Sequence, residues 1–214
     1  MTEKILGCLP LDVLSAAPAV SRVTRPERYR GRAAEAKSDT YGCSVIVWVN
    51  GPFGVGKSTV AHELARQLPA GPIVLDPELI GQVLRTWTPG TVDVADFQDL
   101  TSWRRMTRSA IAGAEADFAR HVIVPMTLLN PDYFQDIVGW LRNHGSDVRH
   151  FCLVADKATV TTRAAQRRDG TLGWVTANYD RYGPSLHDPR FGEFIAAAHQ
   201  EAASIARVIA SRLA

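Results

Sequence analysis

Long apolar runs are missing from this sequence. No stretch approaches the ~18 consecutive apolar residues that a spanning helix requires, and the N-terminus shows no basic segment followed by an apolar stretch and a small-residue cleavage site. Cysteine is scarce: Cys8, Cys43 and Cys152 form no CxxC pair and are odd in number, which argues against a disulfide framework or a structural zinc site. The six histidines show no metal-ligand spacing, no GxSxG elbow is present, and no internal repeat is found. An excess of one charge is also lacking. With 24 basic and 22 acidic residues the formal charge is +2, too balanced for a nucleic-acid binder that neutralises phosphates over a whole face. A cytoplasmic protein without a transmembrane segment and without a nucleic-acid partner is expected, as a monomer or homodimer, with peripheral membrane contact left open.

What is present is enough apolar material for a core: 214 residues, 46% hydrophobic and 21% charged, are the values of one globular domain. Residues 1–42 read as an N-terminal extension, poorly ordered, because Arg22, Arg25, Arg28, Arg30, Arg32 and Lys37 are interleaved with Ala, Pro and Gly without apolar periodicity. The folded domain is expected at 43–214. Val45–Val49 is a short β-branched run suited to a strand covered on both faces, and Val60, Ala61, Leu64, Ala65 and Leu68 follow at helical spacing. Strands are expected again at 73–75, 122–124 and 150–154. Helices are expected from Glu78, over about 101–120, over 131–143 and over 157–168. Ile195, Ala198, Ile205, Val208, Ile209 and Leu213 fall on one side of a last helix. The segment 168–192 reads as a long functional loop, a lid. The alternation predicts an α/β P-loop fold of the nucleoside- or nucleotide-kinase type, with a five-stranded parallel sheet and helices on both faces.

Gly51-Pro52-Phe53-Gly54-Val55-Gly56-Lys57-Ser58 matches GxxxxGK(S/T) between a buried strand and a helix. Its glycines free backbone N–H groups to face a phosphate, the helix N-terminus adds a positive dipole end, and Lys57 adds a mobile charge. Ser58 offers a hydroxyl to Mg²⁺, and Thr59 continues the loop into the helix. Gly51, Phe53, Gly54, Val55, Gly56, Lys57, Ser58 and Thr59 are therefore the candidate ATP contacts. No Asn-Lys-x-Asp guanine signature appears. The strand 122–124 also lacks the acid that commonly ends the Walker B strand, so another carboxylate must compensate or hydrolysis is not the task. Asp76, at the carboxyl end of the second strand, is the candidate: it could take the proton of an acceptor hydroxyl, touch Mg²⁺ through water, or both. It equally suits the N-cap of the helix that begins at Pro77. Arg163 and Arg167, at i and i+4 before the lid, are candidates to neutralise a transferring phosphoryl group, against the alternative of a solvated basic face. Asp96, Phe97, Gln98, Trp103 and Arg104, where P-loop kinases place their acceptor insertion, are candidate acceptor contacts, although Trp and Phe serve more often in cores.

Several markers occur together and in order: Ile46-Val47-Trp48-Val49-Asn50-Gly51, Asp76-Pro77-Glu78, Asp96-Phe97-Gln98, Trp103-Arg104, Val124-Pro125-Met126-Thr127, and Asn130-Pro131-Asp132-Tyr133-Phe134. With them the chain from about Val45 to Leu213 resembles the tunicamycin-resistance (TmrB) family of P-loop proteins. The resemblance implies a nucleotide-kinase-like fold and ATP-linked resistance to uridyl-nucleoside antibiotics, and it adds Met126 and Tyr133 to the candidate acceptor contacts. The expected activity is transfer of a phosphoryl group from ATP, with Mg²⁺, to a hydroxyl of a small nucleoside antibiotic. The alternatives are ATP-dependent sequestration without chemistry and a small-molecule nucleoside kinase. Residues 1–44 have no counterpart in this resemblance, and the bland Ala196-Ala197-Ala198 leaves adenine contacts unassigned.

Overall fold

The structure, a computed structural model, describes residues 44–214 apart from positions 70, 92, 93, 95, 169 and 214. The expected extension 1–42 lies outside the described residues. Five parallel strands form one sheet in the order β2-β3-β1-β4-β5: β1 (Ile46–Asn50), β2 (Ile73–Val74), β3 (Val122–Pro125), β4 (Val148–Val154) and β5 (Glu193–Ala196). β1 pairs with β3 from Ile46↔Val122 to Val49↔Pro125 and with β4 from Ile46↔Val148 to Asn50↔Cys152. Flanked on both sides and covered on both faces, all five β1 residues are buried, as its unbroken apolar run requires.

The helices are α1 (Lys57–Gln67), α2 (Glu78–Trp87), α3 (Thr101–Phe118), α4 (Pro131–Phe134), α5 (Trp140–Asn143), α6 (Lys157–Arg167), α7 (Leu172–Tyr182) and α8 (Ala202–Ser211), with a π-helical stretch, Gln135–Gly139, joining α4 to α5. α1 buries Val60, Ala61 and Leu64, and α8 buries Ile205, Ala206 and Ile209. Asn130 caps α4 by accepting from the backbone N–H groups of Asp132 and Tyr133, and Pro131 supplies the preset first turn. No helix among the described residues is long and apolar enough to cross a membrane.

Two expectations are corrected. Ile195 does not begin the last helix: it is a buried residue of β5, whose partner is Leu153 of β4. The 168–192 segment is not a loop throughout, because α7 occupies its centre, with Val175, Asn178 and Tyr182 buried at helical spacing. Short 3-10 turns at Gly183–Ser185 and Pro189–Phe191 complete it.

Candidate functional site

The phosphate loop leaves β1 at Asn50, whose amide is fully engaged. Its Oδ1 accepts from the N–H groups of Gly51 at 2.8 Å and Leu128 at 2.7 Å, and its Nδ2 donates to Leu128 O at 2.7 Å. Nδ2 also lies 3.2 Å from His150 Nε2, while His150 Nδ1 lies 2.5 Å from Phe191 O. A neutral imidazole protonated at Nδ1 satisfies both contacts, and burial drives the His150 pKa down to about 3, which keeps it neutral. Thr127 stands where a Walker B acid would be looked for and donates its hydroxyl to Gly51 O at 2.8 Å. Asn50 and Thr127 therefore bolt the loop to the end of β3. Neither was singled out by sequence reasoning, although Asn50 and Thr127 both lie in the quoted markers.

Gly51 has φ +133°, and a Cβ there would stand 2.5 Å from Leu153 O, so this position admits no side chain. Gly56, the N-cap of α1 at φ 107°, turns the chain into the helix, and no side chain caps that end. The first N–H groups of α1 have no partner within the helix, and Gly56 has nothing within 4 Å of its missing Cβ. This is an open donor cradle with the shape and polarity that triphosphate oxygens need. Lys57 is buried, donates from Nζ to Gly51 O at 3.1 Å and Pro52 O at 3.0 Å, and lies 5.1 Å from the Phe53 ring centroid. Burial lowers its pKa from 10.5 to about 8, against the opposing pull of Glu78 and Asp76. Ser58 and Thr59 are exposed at the start of α1.

A cavity of about 240 Å³ opens beside the loop, lined by Phe53, Glu78, Arg85, Asp96, Phe97, Met126 and Trp174. Asp96, Phe97 and Met126 thus share a wall with Phe53 of the phosphate loop. Asp96 is buried and accepts from Gln98 N at 3.0 Å, Gln98 Nε2 at 3.2 Å and Tyr182 Oη at 2.9 Å. Trp174 of α7 meets Phe53 edge to face, with centroids 4.0 Å apart. Glu78, Arg85 and Trp174 were not among the expected site residues. The signal for Glu78 was its place two positions beyond Asp76. Arg85 follows Glu78 by seven residues, hence on the same face of α2.

Other expected residues stand elsewhere. Trp103 has no exposed surface and donates from Nε1 to Pro77 O at 3.0 Å, so it belongs to the core and ties α3 to the start of α2. Gln98 is fully buried behind Asp96. Arg104 is held by Asp136 Oδ2 at 2.9 Å, Gln98 O at 2.5 Å and Thr101 Oγ1 at 3.1 Å, and stacks on Tyr133, whose hydroxyl donates to Asp99 at 2.9 Å. Gln98, Trp103, Arg104 and Tyr133 are not among the residues that line this cavity. Arg163 is also corrected: its guanidinium donates to Val55 O at 2.7 Å, Ala197 O at 2.8 Å and Ala198 O at 3.1 Å, which commits it to backbone. Arg167 approaches Thr171 Oγ1 at 3.2 Å, and its charge is felt at Lys57.

Asp76 Oδ1 accepts from Glu78 N at 2.9 Å and so engages the first N–H of α2, whose N-cap position is Pro77. The Glu78 carboxyl, on the cavity wall, is held above the usual 4.5, first by desolvation and then by the neighbouring Asp76. No cluster of three or more metal-ligating side chains exists among the described residues. Magnesium that rides on nucleotide phosphates does not need one, since it takes most of its ligands from phosphate and water and one or two from protein oxygens. The exposed Ser58 hydroxyl and the Asp76 carboxylate are that kind of donor set.

Residues 46–173 match the family model described as AAA domain. Among solved structures, the chain is similar to the tunicamycin resistance protein of Deinococcus radiodurans, at 34% identity and TM-score 0.65, covering 79% of this chain and 95% of that one. It is also similar in fold to a gluconokinase from Sinorhizobium meliloti 1021, at 18% identity and TM-score 0.58, over 82% of this chain and 95% of that one. The APS kinase of Mycobacterium tuberculosis, solved with AMPPNP and APS, gives 18% identity and TM-score 0.54, over 79% and 97%. No curated protein matches the sequence. The phosphate loop in its strand-to-helix setting, the five-stranded parallel sheet and the one-third identity along nearly the whole of the Deinococcus protein together place this chain in the tunicamycin-resistance family of P-loop proteins.

Proposed function

We propose that this protein is an ATP-dependent phosphotransferase that inactivates a tunicamycin-like uridyl nucleoside by phosphorylating one of its hydroxyls. The observation that carries the reading is the common wall of the two half-sites: Phe53 belongs to the phosphate loop and lines the cavity that also holds Glu78 and Asp96. An acceptor hydroxyl in that cavity lies next to the phosphate cradle, with a carboxylate at hand for its proton. Glu78, on the wall and with its proton affinity raised, suits that role better than Asp76. Asp76 would take the second role expected of it, an oxygen for Mg²⁺ through water, with the Ser58 hydroxyl as the other protein donor. Bound with ATP, Mg²⁺ would supply charge neutralisation on the phosphates. Lys57 would exchange its two loop carbonyls for phosphate oxygens, and Arg167 would add positive charge at the same place. Phe53, Phe97, Met126 and Trp174 would exclude water from the acceptor.

Sequestration of the drug without chemistry is the second reading, favoured by the β3 terminus, where Thr127 holds the loop in place of an acid. Mass spectrometry of tunicamycin and other uridyl nucleosides incubated with protein, ATP and Mg²⁺ separates the two. One added phosphoryl mass, absent with Lys57→Ala, supports transfer. Tight ATP-dependent binding without a mass change supports sequestration.

A further inference from the structure

Helix α2 carries Glu78, Gly81 and Arg85 at positions i, i+3 and i+7, which is one helical face. Glu78 and Arg85 line the cavity. Gly81 meets the ring of Phe97, another cavity residue, so closely that a Cβ built at 81 would stand 2.2–2.4 Å from three ring carbons. The Arg85 guanidinium carbon lies 4.3 Å from the centroid of the same ring. Phe97 therefore packs on α2 in the space that Gly81 leaves, with the Arg85 guanidinium over its ring. A cation–π contact with a ring consumes none of the guanidinium's five N–H donors. Among the described residues Arg85 has no hydrogen-bond or ion-pair partner, whereas Arg104, beyond the other end of the Phe97–Asp99 turn, has its donors engaged by three residues. An exposed arginine without a partner is ordinary. One oriented by a cavity wall, on the cavity, is placed to recognise what enters.

The rest of the lining indicates what that is. Glu78 and Asp96 set two carboxylates against one guanidinium, so an anionic acceptor would enter a wall of net negative charge. A neutral carbonyl oxygen accepts two in-plane N–H groups and brings no charge. We propose that Arg85, oriented by Phe97 and given room by Gly81, is the specificity residue of the acceptor site, and that it donates to a ring carbonyl of a neutral, hydroxylated acceptor. This rests on the assignment of the cavity as the acceptor site. It names the acceptor's second recognition group, apart from the hydroxyl that reacts.

The test is calorimetric titration of uridine and of tunicamycin into the full chain loaded with Mg²⁺ and a non-hydrolysable ATP analogue, with gluconate as the anionic comparison. Wild type, Arg85→Ala, Arg85→Lys and Gly81→Ala are compared, with thermal midpoints as a check on folding. Loss of charged-donor hydrogen bonds to a carbonyl predicts about ten- to a hundredfold weaker binding of the neutral ligands by Arg85→Ala. Arg85→Lys should recover little, and affinity for the ATP analogue should not change. Gly81→Ala should weaken the neutral ligands as well. If that variant does not fold, the two Arg85 variants decide. Equal affinity in wild type and Arg85→Ala overturns the proposal, as does tighter binding of gluconate than of uridine, or failure of wild type to bind either neutral ligand. Because the readout is binding, drug bound through Arg85 without phosphoryl gain sinks phosphotransfer and leaves the assignment standing. Phosphorylation with Arg85-independent affinity does the reverse.

Discussion

Tyr182, the last residue of α7, donates its hydroxyl to Asp96 Oδ2 at 2.9 Å, and both residues are buried. The contact ties the 168–192 segment to the cavity wall, reinforced at the surface by Arg181 with Asp99 at 3.4 Å. Burial and the adjacent Asp96 carboxylate raise the Tyr182 pKa, so the phenol keeps the proton it donates throughout the working pH range. Tyr182→Phe leaves a buried carboxylate short of one donor. A stability loss of about 1–3 kcal/mol in urea unfolding is expected. Acceptor KM should rise severalfold with kcat little changed. An unaltered KM would separate α7 from acceptor binding.

The two carboxylates at the head of α2 should behave differently. Glu78→Gln removes the acid on the cavity wall, and kcat is expected to fall about 10²- to 10⁴-fold with nucleotide affinity retained. The acid limb of the wild-type pH profile, expected above the usual 4.5, should disappear with it. Asp76→Asn keeps an oxygen able to cap Glu78 N, so folding should survive and the loss should appear as a greater Mg²⁺ requirement. Reversed phenotypes would return the proton-accepting role to Asp76.

Lys57 burdens the folded protein in the absence of nucleotide. A drop in pKa from 10.5 to about 8 corresponds to about 3 kcal/mol by which the folded state disfavours the charged form. Between pH 8 and 10.5 the unfolded chain binds the proton that the folded chain has released, so this group makes stability rise with pH across that window. Below pH 8 both states are protonated and the folded state carries the whole penalty. Lys57→Met should therefore raise the thermal midpoint of the nucleotide-free protein at pH 7 and flatten its pH dependence between 8 and 10.5. It should also abolish the stabilisation that ATP and Mg²⁺ confer on wild type. A lower midpoint for Lys57→Met would refute the account.

Arg163 links the phosphate loop at Val55 to the segment after β5 at Ala197 and Ala198. Arg163→Ala strands three carbonyls, and a loss of about 2–4 kcal/mol in stability is expected, with a raised KM for ATP. A residue acting on the transferring phosphoryl group would instead lower kcat and leave the melting temperature alone. Measuring both parameters on this one variant decides which role it has.

The phosphate loop was legible in the sequence because its chemistry is local: spacing, glycines and the strand before it all fall within fifteen residues. The strands around β1 were legible for a similar reason, since strands buried on both faces become continuous apolar runs. β5 was not, because Phe194 and Ile195 are followed by an alanine run that continues the helical pattern of α8 backwards. α7 was hidden by its flanking glycines and by Asn178 and Tyr182, polar groups at buried positions that break an apolar stripe. The cavity wall was half legible. Asp96 and Phe97 could be singled out from position and Met126 from the family resemblance, but whether an aromatic lines a cavity or fills a core depends on neighbours distant in sequence, which is why Trp103 looked like a ligand contact and Trp174 did not. Helical spacing suggested Arg163 and Arg167 as neighbours on α6, but it carried no information about the carbonyls of Ala197 and Ala198 that Arg163 meets.

Gly51 rests against the main chain of β4, with Leu153 O where its Cβ would be. Contact between two backbones cannot be retuned by a change of rotamer or by a substitution at either side chain. The cavity wall is built otherwise: Arg85, Phe97, Met126 and Trp174 present side chains, on elements that meet β4 nowhere in the strand ladder. The two halves of the site therefore differ in evolvability. Point mutations can redraw the cavity lining while the phosphate seat stays as it is, and selection on what the cavity accepts can proceed without rebuilding the loop.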